Sequence, residues 1–174
     1  MAKTNQKQIY EDEKKIITEL KKDSRGSIDD IAKKCGFSRQ KIWRIMKRLE
    51  DNKTVWGYTV IVDDEKFETK KFIMLIKRSV GPIHDAINKI VNLTMQRKGS
   101  EIGVNIEYSL YTHGDYDWIF IFTAKDIKYV NKFSNILISE YSNIISDIKI
   151  LEGIFPVQIS TIVNPNVGKL KDII

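Results

Sequence analysis

The spacing of apolar positions divides the chain into two kinds of sequence. In the first third, the apolar residues recur with a helical period. Over Glu11–Lys22, Ile16, Ile17 and Leu20 share one stripe. Asp23–Gly26 interrupts it, with Gly26 as the stop signal. Ser27 then predicts a second helix running to about Cys35, with Ser27 as cap and Asp30 reaching back to it. Gly36 predicts a tight turn, and Ser38 caps a third helix over roughly Arg39–Asp51. In that helix Ile42, Ile45, Met46 and Leu49 fall at i, i+3, i+4 and i+7 and form the buried stripe.

The period changes at Val55. Val55–Asp63 is β-branched and aromatic and predicts an extended segment. Asp63–Lys70 is highly charged and reads as a linker. Strand and helix signals then alternate: a strand at Phe72–Lys77 and a helix at Pro82–Arg97 with Ile83, Ile87, Ile90 and Thr94 on one face. A strand at Val104–Thr112 follows, with Val104, Ile106, Tyr108 and Leu110 on one side. His113-Gly114-Asp115 reads as a tight hairpin connection. Tyr116–Thr123 is a strand, Lys125–Tyr141 a helix and Asp147–Phe155 the last strand. This order, βαββαβ, is the ferredoxin-like arrangement, and the predicted class is α+β. The expected segments are 1–54 (helices), 55–70 (extended strand and linker), 71–160 (βαββαβ) and 161–174 (a tail). A short added strand is expected somewhere in Val157–Val163.

Charge sharpens the division. Of 174 residues, 29 are Lys or Arg and 23 Asp or Glu, a net +6. Residues 1–53 hold 15 basic and 9 acidic residues and so carry the whole excess; the remainder is balanced. A small polyanion-binding module joined to a neutral domain fits that asymmetry. The polar start of the chain and the single Cys35 point to a cytoplasmic location. Apolar runs such as Trp118–Phe122 are far shorter than the roughly 20 residues a membrane helix needs.

Ile28–Lys47 has helix-turn-helix spacing. Ala32 is small where two helices would cross, Gly36 follows four residues later at the turn, and Ile42 follows six residues after that. Such a turn lays its second helix into the major groove of double-stranded DNA. The face opposite the buried stripe would then read bases through Ser38, Arg39, Gln40, Trp43 and Arg44. Lys47 and Arg48 would neutralise phosphates. Arg39–Arg48 holds five basic residues and no acid.

These residues carry a family resemblance. Glu11–Ile17, Ile31–Ser38, Lys47-Arg48-Leu49-Glu50 and Gly57-Tyr58-Thr59 resemble the N-terminal half of Lrp/AsnC transcription regulators. In that family a winged-type helix-turn-helix precedes a βαββαβ effector domain, the RAM domain. Gly114-Asp115-Tyr116-Asp117 is similar to the family's Gly-x-x-Asp loop. The resemblance covers roughly residues 8–158. It implies a dimer through the second domain, with further assembly to tetramers or octamers. It also implies a small effector, commonly an amino acid, near that loop, which makes Gly114, Asp115 and Asp117 the candidates, with His113 and Tyr116 beside them. The stretch Gln96–Gly103 and the tail from Thr161 depart from the family pattern.

Other readings stay beside this one. Tyr116, Trp118, Phe120 and Phe122 share one strand face, as base-stacking aromatics do in RNA-recognition domains. The neutral charge of residues 54–174 favours a sheet-to-sheet dimer core instead. Enzyme signals are thin. His84 and His113 stand far apart, and no metal-ligand spacing, phosphate loop or nucleophile elbow occurs, so neither cofactor nor metal is expected. The enzyme alternative is a sirohaem decarboxylase, a group that shares both halves of this resemblance. A small-molecule sensor that does not bind DNA is the third class.

Overall fold

The computed structural model describes residues 2–174, with side chains from residue 5. It divides into two compact units, one of residues 1–61 with 157–174 and one of residues 62–156.

The first unit contains α1 (Ala2–Lys22), α2 (Ile28–Cys35) and α3 (Arg39–Asp51). Ile16, Leu20, Ile31, Ala32, Cys35, Ile42, Ile45 and Leu49 are buried together, and Met46 packs at their edge. The helical period of these positions is what closes the three helices on one core. The turn between α2 and α3 is a Schellman motif. Gly36 takes φ 66°, its N–H donates to the Lys33 carbonyl and that of Phe37 to the Ala32 carbonyl. Two short strands, β5 (Gln158–Ile159) and β6 (Ile162–Val163), pair antiparallel in this unit. A 3₁₀ turn, Val167–Asp172, follows them. The Thr161 hydroxyl donates to the Lys21 carbonyl at 2.5 Å, so the tail returns to the end of α1.

Residues 56–63 carry no strand assignment. The β-branched composition read correctly as non-helical, but a strand needs a ladder partner, and none pairs with this segment among the described residues. Trp56 and Val60 are left exposed.

The second unit is a four-stranded antiparallel sheet covered by helices. Its strands are β1 (Lys70–Arg78), β2 (Asn105–Tyr111), β3 (Trp118–Ala124) and β4 (Ile145–Gly153), in the order β2-β3-β1-β4. Phe72, Met74 and Ile76 of β1 and Trp118, Phe120 and Phe122 of β3 line the inner face. Val130, Phe133 and Leu137 of α6 (Ile127–Glu140) cover them. Phe133 lies 5.8 Å from Phe120 and 5.2 Å from Phe122, ring centre to ring centre. The aromatic stripe of β3 is therefore the interior of one chain, and the expected dimer core on those residues is corrected. Tyr116 lies before β3, outside the stripe.

Three further expectations change. The helix expected at Pro82–Arg97 is two, α4 (His84–Val91) and α5 (Thr94–Glu101), because Leu93 adopts φ 52° and breaks the hydrogen-bond ladder. Much of the polar stretch Gln96–Gly103 is thus helical. In β2 the register slips between Ile106 and Tyr108. Ile106 pairs with inward Phe122, while Tyr108 and Leu110 pair with Ile121 and Ile119 on the opposite face. An unpaired residue at Glu107 flips every later side chain, which defeats a strict two-residue alternation. The hairpin expected at His113–Asp115 is a longer loop spanning 112–117, closed by the Thr112 N–H on the Asp117 carbonyl at 2.8 Å.

Candidate nucleic-acid interface

Local chemistry positions α2 and α3. Ser27 accepts from the Asp30 N–H, and the Asp30 carboxylate accepts from the Ser27 N–H, a complete capping box. The Ser27 hydroxyl also donates to that carboxylate at 2.6 Å, and this bond first, the Ser27 N–H second, hold the Asp30 carboxyl below its usual range. Ser38 accepts from the Lys41 N–H and starts α3. Both helix starts are therefore fixed by side chains within four residues of them.

With Ile42, Ile45 and Leu49 buried, the opposite stripe of α3 points outward. Ser38, Arg39, Gln40, Trp43, Arg44 and Lys47 are all exposed, and Trp43 keeps 56% of its surface accessible. Lys47 Nζ stands 5.3 Å from the Trp43 ring centre and braces it. Arg44 and Lys47 have no ion-pair partner among the described residues.

The other basic groups of α3 are engaged. Lys41 Nζ lies 2.6 Å from Asp12 and 3.8 Å from the centre of the Phe37 ring. The Lys41 bond is also the main reason that the Asp12 carboxyl sits below its ordinary value. Arg48 donates to Glu13 and is half-buried, placed for holding α3 to α1 more than for reaching a phosphate. Arg39 meets Asp29 at 3.5 Å, but both side chains are largely exposed, so water and salt weaken that pair. Asp12 and Glu13 escaped the sequence reading. They stand in the acidic run Glu11–Glu13, but nothing in that run says which helix it faces.

In the second unit the loop 112–117 separates into two sets. His113, Gly114 and Asp115 are exposed, and Gly114 takes φ 151°. Tyr116 and Asp117 are half-buried. Asp117 accepts from the Arg78 backbone N–H at 2.7 Å, and its own N–H donates to the Ile76 carbonyl at 2.9 Å. It is thus bolted to β1. Tyr116 sits under Lys149, whose ammonium is 5.8 Å from the ring centre. Among the described residues no group of three or more His, Cys, Asp or Glu could hold a metal. Among the described residues no helix is long and apolar enough to cross a membrane.

Residues 13–54 match the family model described as winged helix-turn-helix DNA-binding. No curated protein matches the sequence. Among solved structures, an AsnC family transcriptional regulator from Agrobacterium tumefaciens superposes with a TM-score of 0.67 at 19% identity, over 89% of this chain and 96% of that one. A transcriptional regulator from Neisseria meningitidis, solved in complex with L-methionine, gives 0.67 at 17% identity, over 89% and 96%. A feast or famine regulatory protein from M. tuberculosis, also complexed with L-methionine, gives 0.63 at 14%, over 83% and 91%. Identities this low speak to the fold. Residues 13–54 are thus a winged helix-turn-helix DNA-binding segment, and the chain as a whole has the α+β fold of the AsnC and Lrp regulators.

Proposed function

We propose that this protein is a sequence-specific DNA-binding transcriptional regulator that acts as a homodimer or larger assembly and responds to a small effector. One observation carries the reading: a capped recognition helix whose outward stripe presents Gln40, Trp43, Arg44 and Lys47 with no acid among them. Arg and Gln are suited to paired contacts with guanine and adenine edges, Trp43 to a thymine methyl, and Lys47 to a phosphate. Ser38 and Arg39, at the start of the same helix, join the reading set, and Arg48 supports it from behind.

Assembly would use surface that one chain leaves bare. The outer sheet face carries Ile73, Leu75, Ile119 and Ile121, only half-buried, beside exposed Leu110 and Leu151. An apolar sheet face of this kind finds cover against a second copy. Two recognition helices related by a two-fold axis read a roughly palindromic site. The effector would be an amino acid at the loop 112–117. Exposed His113, Gly114 and Asp115 offer contacts there, while Tyr116 and Asp117 hold the loop in place. The L-methionine complexes of two structurally similar proteins support that class.

Selection of binding sites from random double-stranded DNA, with and without an amino-acid pool, tests the whole reading. A recovered palindrome whose enrichment shifts with the pool is the expected result. Failure to enrich any sequence would overturn it.

A further inference from the structure

The outward stripe of α3 carries one large apolar side chain among polar ones. Trp43 keeps 56% of its surface accessible, while its neighbours Ile42 and Ile45 are buried. It takes no part in the core cluster of the helical unit. Gln40 lies one helical turn before it and Lys47 one turn after it, on the same side of the helix. The Lys47 ammonium stands over the indole, 5.3 Å from the ring centre. That contact orients the ring before any partner arrives, which lowers the entropy that binding must remove.

A single exposed apolar residue is ordinary on a protein surface. Its position is what gives Trp43 a role. Gln40 and Arg44 beside it offer hydrogen-bond donors, whereas the indole offers ring carbon and a single N–H. In the major groove the base edges present donors and acceptors, and the 5-methyl of thymine is the apolar group among them. Uracil keeps the hydrogen-bonding edge of thymine and lacks that methyl. A cytosine methylated at C5 gains the methyl and keeps its own edge. An apolar reader therefore distinguishes bases that hydrogen bonding alone treats as equal.

We propose that Trp43 makes DNA recognition depend on a 5-methyl group in the major groove. The pyrimidine it meets carries that methyl, as thymine or as 5-methylcytosine, and methylation of a cytosine at that place strengthens the site. The inference rests on the base-reading role proposed for α3 and names the chemical group that this side chain reads.

The test uses the full chain and the duplex recovered by selection from random DNA. Each thymine is replaced singly by uracil, and affinity is followed by fluorescence anisotropy. One thymine in each half-site should show a loss of about fourfold, the worth of one buried methyl. With cytosine at that position, methylating its C5 should restore about the same factor. Trp43→Ala should weaken the selected site and abolish both differences there. The position is exposed, so thermal melts should match the natural chain; if they do not, Trp43→Gln replaces it, keeping a side chain without apolar ring surface. A site indifferent to uracil at every thymine would overturn the inference. A methyl preference that survives both Trp43 variants would overturn it too, by assigning the contact to another group. Failure of the base-reading role itself shows earlier, as a selection that enriches no sequence, and takes this inference with it.

Discussion

Arg48 on α3 is tied to Glu13 on α1, its Nε and one terminal nitrogen meeting the same carboxylate oxygen at 3.0 and 2.8 Å. The two residues are 35 apart in sequence, and the bond joins α3 to α1 beside the core of the helical unit. It divides the basic residues of α3 into a structural set and a free set. Lys41 and Arg48 serve the fold, whereas Arg44 and Lys47 remain for a partner.

That division makes opposite forecasts for two neighbouring arginines. Arg44→Ala should cost about 1–3 kcal/mol of affinity for a selected site and relax its sequence preference. Its effect on stability should stay within about 0.5 kcal/mol, as for an exposed helix position. Arg48→Ala should instead lower the stability of the helical unit by about 0.5–1 kcal/mol, a value kept small by the partial exposure of the pair. Anisotropy titrations alongside thermal melts check both. Equal behaviour of the two variants would contradict the division.

Salt should report how many of these charges meet phosphate. The logarithm of affinity should fall linearly with the logarithm of salt, with a slope of about −0.9 per phosphate neutralised. Lys47→Ala should reduce that slope by about one per recognition helix and weaken all sequences alike. A slope unchanged by this variant would place Lys47 away from the backbone.

The turn between α2 and α3 gives a purely conformational prediction. Open space surrounds the position of a Cβ on Gly36, but the backbone is left-handed there. Gly36→Ala should therefore destabilise the helical unit by about 1 kcal/mol with no steric contribution. Gly36→Asn should cost less, because Asn tolerates that region. Chemical denaturation of the two variants distinguishes them.

Asp117 should behave as a structural residue more than a ligand group. Asp117→Ala leaves the Arg78 N–H without its acceptor and should cost about 1–3 kcal/mol of stability in the sheet unit. Asp115→Ala and His113→Ala, at exposed positions, should leave stability unchanged and alter only the amino-acid response. Thermal melts with and without L-methionine check the contrast. An Asp115 variant as destabilised as the Asp117 variant would refute it.

Acid should loosen the helical unit in a defined direction. The Lys41 bond and, less, the Gln8 bond hold the Asp12 carboxyl below its ordinary value. A depressed folded-state pKa adds stability that is fully present above the unfolded value, about 4 for Asp, and is lost as pH falls through the folded value. Asp12→Asn should flatten the decline of stability between neutral pH and about pH 3. An unchanged pH dependence would remove Asp12 from this role.

The helical unit was the most legible part of the sequence because its signals are local. Caps at Ser27 and Ser38 bond to N–H groups three residues on, Gly36 sets one backbone angle, and the apolar stripe of α3 follows from a fixed period. Where a decision depended on distant residues, local patterning misled. The aromatic alternation of β3 marks a buried face, but only α6 packing on it shows that the face is covered within one chain. The alternation of β2 breaks at Glu107 because the pairing with β3 slips there.

The amino-acid sequence by itself determined which face of α3 points outward and that the basic excess is confined to residues 1–53. Helical period and capping are properties of neighbouring residues and can be read along a line. Only the tertiary structure decided which of the five basic residues of Arg39–Arg48 are free. Asp12 and Glu13 come from a different helix, and an ion pair depends on proximity in space that no spacing in the chain encodes.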